Sequence, residues 1–210
     1  MTDAETSPQG PLDPTTLDFA KMDGLLPCIV QDADTAQVLM LGYMNEEALE
    51  RTQERGLVTF YSRSKGRLWT KGESSGHTLQ LVRLSTDCDG DALLVLARPQ
   101  GPTCHTGAIS CFSVQPPALE MLGRLERTVQ GRRDADPQAS YTARLLQGEP
   151  RRAAQKVGEE GVEVALAALA QSDKELAGEA ADLLYHLLVV LALRGLRLAD
   201  VLAVLHGRSH

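Results

Sequence analysis

The stretch 87–112, DCDGDALLVLARPQGPTCHTGAISCF, holds three of the chain's four cysteines, three aspartates and a histidine. Cys88, Cys104 and Cys111 lack the C-x-x-C spacing of a zinc ribbon. Three thiolates nevertheless hold Zn²⁺ and leave a fourth position for water or substrate, the arrangement of a catalytic zinc site. His105 is either the fourth ligand or an acid–base group beside the metal. Asp87, Asp89 and Asp91 stand two apart. On a strand end they would share one face, with Cys88 on the other. Hard carboxylates suit Mg²⁺ and soft thiolates suit Zn²⁺, so two different metals are expected side by side. An EF-hand is excluded, because its obligatory Gly and Glu would fall on Ala92 and Arg98. Without the cysteines, three acids around a glycine would read equally well as a solvated turn. Cys28, in an apolar strand, reads as a core residue.

A second stretch, LWTKGESSGH (68–77), sets Trp69, Lys71, Glu73, Ser74, Ser75 and His77 between two strands. An indole stacks on a base, and lysine with serine binds phosphate, so these residues are candidates for substrate binding. Alone, such a loop is a weak signal.

A third set lies on helices. Lys156, Glu160 and Glu163 recur at i, i+4, i+7 with Glu159 adjacent, and Glu179, Asp182 and His186 at i, i+3, i+7. The helix carrying the second set is apolar nearly all round, which predicts burial in a bundle. Buried carboxylates are costly unless paired or metal-bound. Two acid faces opposed across two helices fit a Mg²⁺ cage. The competing reading is a surface Lys156–Glu160 pair and a polar stripe.

The elements that must carry these residues divide into two grammars. LPCIV and AQVLMLGYM flank a turn and predict a hairpin. Asn45 and Gly56 bracket a short helix. LVTFYSRS with RLWTKG, and HTLQLVRLST with ALLVLAR, add two more strand pairs. Beyond Pro116–Pro117 helices dominate: one from the Ser140 cap to Gly148, one from Pro150 to about Ala170, one over about 174–194, and a short one after Leu198. The expected fold is α+β, with a disordered tail (1–16), an antiparallel β-rich N-terminal domain (17–115) and an all-α helical-bundle C-terminal domain (116–210). So few helices make a thin core, and a dimer that completes the bundle is expected.

The chain has 210 residues, a net charge of −7 and a pI near 5.2. That balance argues against a nucleic-acid or membrane-surface partner. The excess is −6 in residues 1–115 and −1 in 116–210, so an anionic ligand requires metals or local basic groups to offset the field. The polar, acidic N-terminus lacks the features of a signal peptide, and the longest apolar run is interrupted at Tyr185–His186. A cytoplasmic location is expected. There clustered cysteines serve metals or catalysis rather than disulfides.

On LWTKGESSGH, DCDGDALL and GPTCHTGAISCF, the first half resembles phosphoribosyl-AMP cyclohydrolase. On YTARLLQGEPRRAAQKVGEEGVEV and EAADLLYHLLVVL, the second half resembles phosphoribosyl-ATP pyrophosphohydrolase, whose E-x-x-E…E-x-x-D pattern stands here as Glu160–Glu163 and Glu179–Asp182. Together the chain looks like the bifunctional enzymes of histidine biosynthesis over roughly residues 20–195. Gly161 departs from the helix-favouring residue more usual there. The resemblance implies Mg²⁺ on Asp87, Asp89 and Asp91, and Zn²⁺ on Cys88, Cys104 and Cys111 drawn from both subunits of a homodimer. It implies a second Mg²⁺ on Glu160, Glu163, Glu179 and Asp182. The helical domain would then cleave phosphoribosyl-ATP, with Lys156 neutralising pyrophosphate and Glu159 or Glu163 orienting water. The β domain would hydrolyse the C6–N1 bond of phosphoribosyl-AMP, with His105 or His77 moving protons. Two alternatives remain at this stage: a housecleaning NTP pyrophosphohydrolase, and a structural-zinc module fused to a helical dimerisation domain.

Overall fold

Alternation in LPCIVQD buries Leu26, Cys28, Val30 and Asp32 and turns Ile29 outward, the period-two pattern of a half-covered strand. In the computed structural model, which describes residues 11–112 and 120–208, this is β1 (Leu26–Asp32). It pairs antiparallel with β2 (Val38–Met44), with Leu26 opposite Met44 and Val30 opposite Met40. Asp32 closes the hairpin, its Oδ1 accepting from the backbone N–H of Asp34 at 2.9 Å and Thr35 at 3.3 Å.

Helix α1 (Glu46–Arg55) starts where Asn45 Oδ1 accepts from Ala48 N at 2.9 Å. It stops at Gly56, whose φ of 65° only glycine adopts freely. Thr52 on its buried face accepts from Thr59 N at 2.9 Å, which ties the helix to β3 (Thr59–Ser62). β3 pairs with β4 (Arg67–Thr70) as a separate two-stranded sheet.

β5 (Leu79–Thr86) and β6 (Leu93–Pro99) are antiparallel. β6 lies parallel to β1, with Cys28 opposite Leu93 and Val30 opposite Val95, giving the order β2-β1-β6-β5. A parallel pair needs a long connection, here everything from β2 to β5. Local hairpin signals cannot foretell it.

The expected tail ends earlier than residue 16. Leu12 and Leu17 pack against the core, Gln53 Nε2 donates to the Leu12 carbonyl at 3.2 Å, and Asp13 caps a 3₁₀ turn at Pro14–Thr16. Burying two leucines outweighs the ordering of so short a segment. Residues 1–10 of the expected tail, and the expected boundary at 116, lie outside the described residues.

The described chain falls into two compact units that divide between Glu120 and Met121. The second is all helical: α2 (Glu120–Gly131), α3 (Tyr141–Gln147), α4 (Pro150–Ala170), α5 (Asp173–Leu193) and α6 (Leu198–Arg208). The Ser140 cap and the Pro150 start are those expected, and the box on α5 adds to them. Ser140 accepts from Ala143 N, Pro150 sits in the first turn of α4, and Ser172 with Glu175 forms a capping box on α5. Helix α2 went unread, although Leu122, Leu125 and Val129 recur at helical spacing. Val129, Leu145, Leu146, Ala153, Val189 and Ala192 form a small core.

The expectation that α5 is buried all round fails within one chain. By length and hydropathy α5 qualifies as a membrane span, yet only 22% of its apolar window is buried. Leu184 on α5, Val162, Leu166 and Leu169 on α4, and Leu202, Val204 and Leu205 on α6 are exposed. The two-residue link Gln171–Ser172 folds α5 back on α4, so each covers one side of the other and leaves the rest bare.

At Gly161, in the middle of α4, an added Cβ meets nothing within 4 Å. Gly161→Ala is therefore expected to stabilise the fold by about 0.5–1 kcal/mol, seen as a raised urea midpoint at unchanged slope.

Candidate active sites

In the first unit, the loop after β4 and the loop after β6 face each other across a cleft of about 460 Å³. Trp69, Lys71, Glu73, Ser74, Ser75 and His77 come from one wall, and Thr103, Cys104, His105 and Cys111 from the other. Gly72 makes the first loop possible. Its φ is 84°, and a Cβ there would stand 2.5 Å from the His77 carbonyl. Gly101 plays the same part in the second, where the His77 ring lies against its backbone and a Cβ would be 2.7 Å from the ring.

Lys71 is buried, and its ammonium donates to the His77 carbonyl at 3.2 Å. Desolvation lowers its pKa, partly offset by attraction to Cys111 and Cys104 in their ionised forms. Glu73 is tied to Arg67 at 2.8 Å, which holds its carboxyl below the ordinary range. Trp69 stacks on Phe60 at a centroid distance of 5.7 Å, packing against the core while lining the cleft.

The Cys104 and Cys111 thiols lie close enough for each to shift the other's ionisation. Thr106 Oγ1 donates to Cys104 Sγ at 3.1 Å and lowers that thiol's pKa, whereas burial and the neighbouring Cys104 raise that of Cys111. His105 Nδ1 lies 3.8 Å from Cys104 Sγ. Cys88 is exposed on the β5–β6 turn and is not a lining residue of this cleft. One chain thus brings together two of the three expected thiolate ligands. Cys28 is fully buried, and burial pushes its thiol up to about 12, as befits a core residue.

The three aspartates converge, with one carboxylate oxygen from each within 4.8 Å of the others. They do so on a turn, not a strand face: β5 ends at Thr86 and β6 begins at Leu93. Asp87 Oδ1 accepts from the backbone N–H of Asp91 at 3.1 Å and Ala92 at 3.2 Å, which curls the turn and gathers the acids. Such a set of hard oxygen donors fits Mg²⁺. Lys21 was not anticipated. Its ammonium reaches both Asp89, at 2.6 Å, and Asp91. Its segment is latched to the turn by a bond of 2.8 Å from Asp18 N to the Gly90 carbonyl.

In the second unit, carboxylate oxygens of Glu160, Glu179 and Asp182 lie within 4.8 Å of one another, across α4 and α5. This oxygen set also fits Mg²⁺. Glu163 stands beside it, and the neighbouring Glu160 and Glu179 hold its carboxyl above the ordinary range. Glu159 points into a different set of contacts, bonded to Lys156 at 2.8 Å and Gln155 at 2.8 Å, and is held below the ordinary range. Lys156 also reaches Glu160 at 3.6 Å.

Glu160 is nearly buried and has a further partner, His186, whose Nδ1 lies 3.4 Å from Glu160 Oε1 and 3.0 Å from the Asp182 carbonyl. The Tyr141 hydroxyl lies 3.4 Å from His186 Nε2. A carbonyl can only accept, so Nδ1 carries a hydrogen and donates to Asp182. Sequence spacing put His186 on the acid face but gave it no role. Tyr141 was missed, its only signal being its place directly after a helix cap.

Two family models match the chain: phosphoribosyl-AMP cyclohydrolase over residues 40–113, and phosphoribosyl-ATP pyrophosphohydrolase over residues 122–209. The histidine biosynthesis bifunctional protein HisIE of Xylella fastidiosa strain Temecula1 is 62% identical over 192 residues, covering 91% of this chain and 92% of its own. Those of Vibrio cholerae (54% over 195 residues; 91% and 93%) and Escherichia coli K12 (55% over 192 residues; 91% and 95%) are similar along the same length. With one site in each unit and the two models matched in this order, the chain belongs to the bifunctional histidine-biosynthesis family that joins an N-terminal phosphoribosyl-AMP cyclohydrolase to a C-terminal phosphoribosyl-ATP pyrophosphohydrolase.

Proposed function

We propose that residues 116–210 act first and residues 17–115 second, in a cytoplasmic homodimer using both Mg²⁺ and Zn²⁺. In the helical domain, Glu160, Glu163, Glu179 and Asp182 hold Mg²⁺, which when bound neutralises the triphosphate and orients it for attack. Lys156 draws off the charge of the departing pyrophosphate. Glu159, or Glu163 from the edge of the acid set, orients the attacking water. Glu160 and Glu179 raise the pKa of the Glu163 carboxyl, whereas Lys156 and Gln155 hold Glu159 as a carboxylate. His186 and Tyr141 fix Glu160 from behind.

In the β domain, the adenine stacks on Trp69, while Lys71, Ser74 and Ser75 receive the phosphates and Glu73, pinned by Arg67, shapes the loop. Asp87, Asp89 and Asp91 hold Mg²⁺ for a substrate phosphate. Cys104 and Cys111, with Cys88 of the second subunit, hold Zn²⁺, which when bound lowers the pKa of water from 15.7 to about 7. His105, beside Cys104, carries the proton to the leaving nitrogen, and His77 closes the opposite wall.

The observation that carries this reading is the single cleft that joins Cys104 and Cys111 to the Trp69–His77 loop while Cys88 stands outside it. The bare apolar faces of α4, α5 and α6 supply a reason to dimerise. Complementation tests the sharing. Cys88→Ala and Cys104→Ala proteins, each inactive in ring opening, are unfolded together and refolded as a mixture. Shared sites restore about a quarter of the activity, because half the dimers are mixed and each holds one intact site. Sites built within one chain restore none.

The latch on the acidic turn gives a second expectation. Lys21 competes with a cation for Asp89 and Asp91. Lys21→Met should bind Mn²⁺ at this turn roughly three- to tenfold more tightly, read by electron paramagnetic resonance. Unchanged affinity would mean that Mn²⁺ binds without displacing the ammonium.

A further inference from the structure

Among the described residues, one buried side-chain polar atom has no hydrogen-bond partner, and it is the hydroxyl of Thr103. Thr103 is only 3% exposed, and its backbone is held in a tight loop by Thr103 N to the Ile109 carbonyl at 3.3 Å and Cys104 N to the Ala108 carbonyl at 2.9 Å. The other hydroxyls of the same loop are engaged. Thr106 donates to Cys104 Sγ, while Ser110 donates to the Val38 carbonyl at 2.8 Å and accepts from Phe112 N at 3.0 Å. A buried hydroxyl without a partner costs stability, and valine has the same shape without that cost. Thr103 lines the cleft beside Cys104, together with Lys71, His77 and His105. The oxygen itself is covered, so a turn about the Cα–Cβ bond of Thr103 is what would bring its hydroxyl to a molecule bound at the thiol end of the cleft.

We propose that the Thr103 hydroxyl is a catalytic hydrogen-bond donor to the oxygen added to C6 of the purine. This rests on the cleft being the cyclohydrolase site. In the reaction, a water oxygen bonds to C6, and one of its protons passes to the exocyclic nitrogen. The C6–N1 bond then breaks, its electron pair goes to N1 with the remaining proton, and the added oxygen becomes the carbonyl of a carboxamide. Thr103 keeps its own proton throughout. Its bond strengthens as charge gathers on that oxygen, which is the differential binding that accelerates a step.

The test compares Thr103→Val and Thr103→Ser, with phosphoribosyl-AMP supplied directly. Thr103→Val is expected to keep or raise the thermal midpoint of the metal-free protein, to leave pyrophosphate release unchanged, and to lower kcat for ring opening about tenfold to a hundredfold with KM within about threefold. It should also weaken binding of 5-aminoimidazole-4-carboxamide ribonucleotide, which carries the product-like oxygen, about tenfold in metal-free protein. Thr103→Ser should restore both to within about threefold. Unchanged kcat in Thr103→Val would overturn the proposal. So would a lowered midpoint in Thr103→Val, which marks the hydroxyl as a structural partner within the folded loop. Should Thr103→Val fail to fold, Thr103→Ser together with Thr103→Ala separates hydroxyl from methyl in the same assays. A wild-type protein that opens no ring fails in a distinguishable way, by removing the cleft's assignment.

Discussion

Cys104→Ala is expected to abolish ring opening while pyrophosphate release stays within about twofold, so that phosphoribosyl-AMP accumulates. The thiol is lowered in pKa by Thr106 and stands beside His105 in the cleft, so its removal takes away one of the two thiols that the cleft brings together as proposed zinc ligands. The loss should be about a thousandfold or more, roughly 4 kcal/mol of transition-state stabilisation. The side chain is half-exposed in a surface loop, and its loss leaves the β-sheet core of Leu26, Val30, Leu93 and Val95 intact. Thermal unfolding and zinc content check the two halves of this expectation: an unchanged midpoint with less bound zinc. Retained ring opening would remove Cys104 from the mechanism.

Glu160→Gln should do the reverse. Glu160 is the one carboxylate that belongs to the convergent acid set and also contacts Lys156 and the His186–Tyr141 pair. The amide keeps the size of the side chain and removes its charge, so the fold is expected to be preserved while the proposed clamp on the triphosphate is lost. Pyrophosphate release is expected to fall about a hundredfold to a thousandfold, and opening of phosphoribosyl-AMP supplied directly to stay unchanged. Loss of both activities from folded protein would contradict two independent sites.

Local chemistry was legible in the sequence where it rests on neighbours along the chain. The Asn45, Ser140 and Ser172 ends of helices, the hairpins around Asp32 and Lys65, and the acid faces of α4 and α5 all follow from spacing of three or four residues or from turn chemistry. What was hidden depends on distant partners. The parallel pairing of β1 with β6 spans more than half of the first unit. The aspartates converge because backbone amides of the turn fold onto Asp87, which strand alternation does not describe. Lys21 comes to them from 68 residues away, and Tyr141 to His186 from 45. Thr103 carries no signal of its own, since an unsatisfied hydroxyl is defined by what surrounds it. The exposed leucines of α4 and α5 mark the same limit from the other side: an apolar helix announces that it will be covered, not by which chain.

The most direct test is turnover of phosphoribosyl-ATP by the purified protein with Mg²⁺ and Zn²⁺, following pyrophosphate and the ring-opened carboxamide separately. Two working sites in one chain give both products, with pyrophosphate appearing first and the carboxamide reaching the same final amount. Neither product, or pyrophosphate alone from folded protein loaded with both metals, would contradict it.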